Sequence, residues 1–157
     1  MESIIVTIIQ AMLAPAVMIS ACGLLLLGTN NKYALIVNRI RLLDEEKRKL
    51  KIAGKTEPLT EDQLHRLWNV ELQIEKISFR IKLVQNAVFS YTLGVIFFIA
   101  ASLIIGIQYF IPTSFITGLS GLAFLVGMLS VMVGVLFAAR EVRKGYEIIQ
   151  LEITEIE

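Results

Sequence analysis

The residues in this chain that could do chemistry are mostly amides, hydroxyls and guanidinium groups rather than paired acids and bases. The densest group is TNNKYALIVNRIR, residues 29–41. Thr29, Asn30 and Asn31 follow a glycine, and Asn38, Arg39 and Arg41 come within the next three turns. Asn31 and Asn38 are seven residues apart and so share one helix face. Asn is a poor mid-helix residue and favours caps or side-chain networks. One structural explanation is a local break at 28–31, recapped by Thr29 or an Asn. Another is that these residues mark a membrane edge. The functional explanation is a ring of amide and guanidinium groups at the cytoplasmic mouth of an assembly, where it could select ions or clamp a neighbour.

A second group lies in the first apolar stretch. Thr7, Gln10, Ala14, Val17, Ala21, Leu24 and Gly28 follow a three-four spacing, so they form one stripe of mainly small and polar residues. Pro15 sits beside the stripe and is expected to kink the helix, freeing a carbonyl near Ala11. Such a helix could line or gate a pore, with Thr7, Gln10, Ala14 and Pro15 as candidates. It could equally pack closely through its small residues. Gln10 and Gln108 are expected toward the same outer side. They could hydrogen-bond each other or ring a narrow pore mouth. Ser90, Gly94 and Ala101 line one side of a later apolar stretch with Gln108, and Ser130, Gly134 and Ala138 recur every fourth residue in another. Small residues at this spacing commonly mark helix pairing, within one chain or between copies.

Other chemistry is not expected. No Asp, Glu, Lys, Arg or His lies in residues 3–31 or 83–139, which argues against a proton relay, a voltage sensor or intramembrane hydrolysis. Cys22 is the single cysteine and lies in an apolar run, where a thiol behaves as a small hydrophobe. His65 is the single histidine, and no nucleophile or metal set accompanies it. We therefore expect no enzyme, no cofactor and no metal site. A net charge of +1 gives no global pull toward nucleic acid.

The elements that hold these groups follow from where charge is missing. The chain has 157 residues, 55% of them hydrophobic, and a mean hydropathy of +0.69, too apolar for an ordinary soluble domain. A bilayer core needs about 20 helical residues. Residues 3–31 supply one span, and residues 83–139 supply two with a turn at 112–114 around Pro112. The expected layout is an all-α membrane protein. It has a first transmembrane helix in 1–30, a cytoplasmic helical hairpin in 31–86 turning at 54–59, transmembrane helices two and three in 87–139, and a C-terminal cytoplasmic helix in 140–157. The N-terminal MESIIVTIIQ has no basic region of the signal-peptide kind, so the first span is expected to stay in the mature protein. All 15 Lys and Arg lie in 32–82 or 140–144, which places the N-terminus outside and the hairpin and tail inside, in a cell inner (plasma) membrane. Head groups of that membrane account for Lys32, Arg39, Arg41, Arg80 and Lys82.

The hairpin carries its own periodicity. Leu67, Val70, Ile74, Ile77, Ile81, Val84 and Val88 form a heptad seam running into the second span. Thr60 with Gln63 makes a capping box at its start, and Leu59 with Leu64 a hydrophobic staple. Gly54 is placed to end the preceding helix. Tyr33, Ile36, Ile40, Leu43, Lys47 and Leu50 form a second seam, and Val142, Tyr146, Ile149, Ile153 and Ile156 a third. Three seams at one membrane face predict a three-helix coiled coil. Trp68 and Phe79 lie off the main seam and could offer a face to a protein partner.

The run PAVMISACGLLLLGTNNKYALIVNRIRLLDEE, residues 15–46, resembles a family of small prokaryotic membrane proteins known as domain of unknown function 2721. Pro15, Ser20, Leu24 to Leu27, Thr29, Asn30, Arg39, Arg41 and Leu43 carry the resemblance, and Asn31 departs from it where the family often has Arg. The resemblance implies architecture and brings no activity with it. Two functions are therefore expected to compete. One is a homo-oligomeric channel with a cytoplasmic vestibule. The other is a membrane-anchored scaffold or adaptor for a cytoplasmic protein.

Overall fold

Long uninterrupted apolar and heptad patterns leave little room for loops, and three helices form. In the computed structural model the described backbone covers residues 2–56, 58, 60–108 and 114–154, and the described side chains cover 6–55, 58, 60–108 and 114–144. The helices are α1 (Glu2–Thr56), α2 (Glu61–Gln108) and α3 (Ser114–Thr154). At 1.5 Å per residue the 55 residues of α1 span about 82 Å, far more than a ~30 Å hydrocarbon core. All three are long and apolar enough to cross a membrane.

Of the alternatives left open at 28–31, the local break does not occur: α1 runs through. The Thr29 hydroxyl donates to the Leu25 carbonyl at 2.7 Å, so its polar group is satisfied inside the helix. Gly54 does not end α1 either, because the helix runs on to Thr56. The start of α2 follows the capping-box logic in part: the Thr60 N–H donates to Gln63 Oε1 at 3.1 Å, and the Leu64 N–H donates to the Thr60 carbonyl at 3.0 Å. Leu59, Pro112 and Thr113 lie outside the described residues.

Helix α2 is the middle of the layer. It packs against α1 on one side and α3 on the other, while α1 and α3 scarcely touch. The third helix of the expected cytoplasmic coiled coil, 140–157, falls mostly on side chains outside the described residues. The seams on α1 and α2 both turn inward, with Leu43, Val70 and Val84 buried. Of the third seam, Val142 is exposed, and the side chains of Tyr146, Ile149, Ile153 and Ile156 lie outside the described residues.

The α2–α3 contact is built from small residues. A Cβ on Gly134 would lie 2.6 Å from Cε1 of Tyr91, and one on Gly127 would lie 2.8 Å from Cε1 of Phe98. Gly94 faces Val131 and the Gly127 carbonyl just as closely. The Ser130 hydroxyl donates to the Ser90 carbonyl at 2.8 Å. Phe98 and Phe124 meet with ring centroids 5.4 Å apart, within the range for favourable aromatic pairs. The small-residue stripes of spans two and three therefore pair with each other inside one chain.

Candidate functional site

Where the three apolar runs end, one carboxylate ties the helices together. Glu141 on α3 has only 4% of its side chain exposed. Its Oε1 accepts from Arg80 Nη2 at 2.6 Å and Nε at 3.2 Å, and its Oε2 lies 3.7 Å from Lys32 Nζ. One acid from α3 thus meets one cation from α2 and one from α1. Burial demands this: a carboxylate out of water is costly unless paired and hydrogen-bonded. The long Lys32 contact is the weaker of the two, and the Lys32 side chain is half exposed. The neighbouring turn of α2 adds a polar link, with Gln85 Nε2 donating to the Tyr33 hydroxyl at 3.4 Å.

Farther along, the α1–α2 hairpin is laced by surface ion pairs. Glu71 sits 3.0 Å from Lys47 Nζ and 3.2 Å from Lys51 Nζ, and Glu46 accepts from Arg66 Nε at 2.7 Å. The i,i+4 pair Glu45–Lys49 spans 3.3 Å. Lys47, an odd residue at a seam position, is there to reach Glu71. The hydrogen bond and charge of Arg66 hold Glu46 below the usual carboxylate range, and Lys47 and Lys51 do the same to Glu71. Both are acids with depressed folded-state values, so their pairing supports the hairpin above the unfolded value near 4.3 and is lost as the pH falls through the lower folded values. Amide protection factors, taken relative to the intrinsic rate at each pH, are expected to fall modestly in 44–56 and 61–76 between about pH 5 and pH 3, while those of the α2–α3 pair hold.

The model of a family described as protein of unknown function (DUF2721) matches residues 12–151. The chain belongs to that family. No curated protein and no solved structure matches it.

Within this DUF2721 chain the residues singled out from the sequence divide into two sets. Pro15 is fully buried in a continuous α1, beside the open stripe and not on it. Gln108 is half-buried, and its Nε2 donates to the Thr117 hydroxyl of α3 at 2.7 Å rather than to Gln10. The second set stays open. Thr7, Gln10, Ala14, Val17, Ala21, Leu24 and Gly28 are all exposed on α1. The unbroken helix carries the same three-four spacing onward through Asn31, Leu35, Asn38 and Leu42, which are exposed as well. Helix α1 therefore has two seams: one covered by α2, and one of eleven positions that this chain does not cover. Thr29 lies half-buried toward the covered side, while Asn30, Arg39 and Arg41 flank the open seam and are exposed. Trp68 and Phe79 are exposed on α2, and the ammonium of Lys144 lies 5.9 Å from the Phe79 ring centroid.

Sequence reasoning missed Glu141. Its signal was present, as the single acid within 140–144 next to an apolar run. Lys32 and Arg80 had been given to lipid head groups, and their partner could not be found without knowing which helix faces meet.

Proposed function

We propose that this protein is a homo-oligomeric, multi-pass membrane protein in which copies of α1 gather about a common axis and line a conducting path. The observation that carries this reading is the open seam of α1. The α2–α3 pair satisfies its own small residues, but the first helix leaves Gln10, Asn31 and Asn38 exposed. An amide such as Gln10 facing hydrocarbon is costly, and a second polar surface or water relieves that cost. Copies inserted in one membrane share one orientation, so their seams meet in parallel and place each amide beside its counterpart. The distribution of Lys and Arg supports an N-terminus outside and the hairpin on the cytoplasmic side of an inner membrane. The heptad seams support a coiled coil there. No catalytic chemistry, cofactor or nucleic acid enters this reading.

The test is a mass followed by a flux. Native mass spectrometry of the protein in nanodiscs is expected to give a defined oligomer of four or more chains. Ion flux into liposomes is expected to change several-fold on Gln10→Leu and on Asn38→Leu, with circular dichroism unaltered. A monomer ends the proposal, because three spans cannot enclose a path. Unchanged flux in both variants removes the pore and leaves the assembly.

A scaffold is the second reading, and it rests on Trp68, 62% exposed on α2. It expects Trp68→Ala or Phe79→Ala to release a protein that co-purifies with the wild type.

A further inference from the structure

Charge in this chain is sorted by height. Residues 44–76, the outer part of the hairpin, hold seven basic and eight acidic side chains. Residues 32–43, 77–86 and 140–144 together hold eight basic side chains and a single acid, Glu141. The fold turns these three segments into one belt. The Arg80–Glu141 bond sets α2 and α3 at one level, and the Gln85–Tyr33 bond sets α1 against α2. Helix α1 descends from Tyr33 as α2 descends from Gln85. At 1.5 Å per residue, Arg39 lies about 9 Å below Tyr33 and Arg80 about 8 Å below Gln85. The two are therefore at nearly the same height.

The single acid of the belt is already occupied. Glu141 is buried and held by Arg80 and Lys32, so it offers little negative charge to the surroundings. That leaves Arg39 and Arg41 on α1, Lys82 on α2, and Arg140, Arg143 and Lys144 on α3. All six are exposed, and the Lys144 ammonium is engaged over the Phe79 ring at 5.9 Å. The outer hairpin contrasts with this, since Lys47, Lys49, Lys51 and Arg66 are each held by an acid. The belt begins directly below the uncharged run 83–139 and extends about 15 Å along the helices. A head-group layer is roughly 5–8 Å thick, and long cationic side chains reach several ångströms up to it.

We propose that this belt is a binding surface for the phosphates of anionic glycerophospholipids, with Arg39, Arg41, Lys82, Arg140 and Arg143 as the recognising groups. Glu141 serves it by neutralising itself internally, so that no acid faces the lipid phosphates. The surface is present on each copy and does not depend on a conducting path.

Lipid retention tests it. The protein, purified in detergent, is mixed with phosphatidylglycerol or phosphatidylcholine, and the retained lipids are counted by native mass spectrometry. Several phosphatidylglycerol molecules are expected to stay where phosphatidylcholine leaves. A variant carrying Arg39→Gln, Arg41→Gln, Arg140→Gln and Arg143→Gln is expected to lose that preference, by about fivefold per cation removed. A control with Arg48→Gln, Lys55→Gln and Lys76→Gln, all in the outer hairpin, is expected to keep it. Equal retention of the two lipids by the wild type overturns the proposal, as does an unchanged preference in the four-residue variant. If that variant does not fold, the wild type decides by salt. Raising NaCl from about 0.05 to about 0.5 M shortens the screening length severalfold and is expected to strip the phosphatidylglycerol, and retention that ignores salt overturns the proposal.

Discussion

Gly134→Leu is expected to separate α3 from α2 and to cost about 3 kcal/mol of stability. The reason is geometric. A single Cβ at this position would lie 2.6 and 2.7 Å from the Tyr91 ring and 3.2 Å from Ser90 Cβ. Tyr91 is 1% exposed, so its ring has nowhere to swing. Gly134→Ala poses the finer question. Alanine favours a helix over glycine by about 1 kcal/mol, and overpacking a tight contact costs about 1–3 kcal/mol. The overlap wins because the obstructing atoms belong to a buried ring, and a net loss is expected. Gly121→Ala, on the same helix, is the matched control. Nothing lies within 4 Å of its Cβ, so only the helix gain remains and stability is expected to hold or rise slightly. Thermal unfolding in detergent followed by circular dichroism reads all three. An unchanged midpoint for Gly134→Leu would mean that α2 and α3 do not meet through this face.

The three helices long and apolar enough to cross a membrane were legible in the sequence because absence of charge over 20 residues is a one-dimensional signal. The α2 seam was legible for a similar reason: a heptad on one helix names the buried face without naming the partner. What one dimension cannot supply is which faces meet. The stripes at Gly94 and Gly134 could have paired between copies, and the fold shows that they pair with each other. The stripe on α1 looked equivalent in spacing, yet it faces outward along with Asn31 and Asn38. The difference lies in shape. Gly127 and Gly134 of α3 sit opposite Phe98 and Tyr91 of α2, whose rings fill the hollow a missing side chain leaves, and Gly94 of α2 meets Val131. Gly23 and Gly28 of α1 have no heavy atom within 4 Å of their Cβ positions. Pro15, beside the stripe, is another residue whose neighbour the spacing alone does not name. Proline carries a buried apolar ring, and it follows the α2-facing side with Cys22.

The second large effect centres on Glu141, and it is asymmetric. Arg80→Ala is expected to destabilise the protein by about 3–5 kcal/mol, because it leaves a carboxylate that is 4% exposed with only a half-exposed lysine at 3.7 Å. Glu141→Leu is expected to cost less. The guanidinium it strands is 28% exposed, so it can turn toward water, and the leucine fills the vacated volume. The double variant Arg80→Ala, Glu141→Leu is then expected to be more stable than Arg80→Ala alone. Removing both charges deletes the unpaired buried ion along with the bond. A double-mutant cycle by urea or thermal unfolding in one detergent isolates the coupling. A coupling near zero would mean that Arg80 and Glu141 both point to solvent. Lys32 gives an internal scale. Its ammonium is 3.7 Å away and half exposed, so Lys32→Gln is expected to cost no more than about 1 kcal/mol. Equal losses for Lys32→Gln and Arg80→Ala would show that the acid is shared evenly between α1 and α2. A much larger loss for Arg80→Ala makes the clasp chiefly an α2–α3 device. In that case α1 is held at this level mainly by its packing on α2, and its other seam stays open to a second copy.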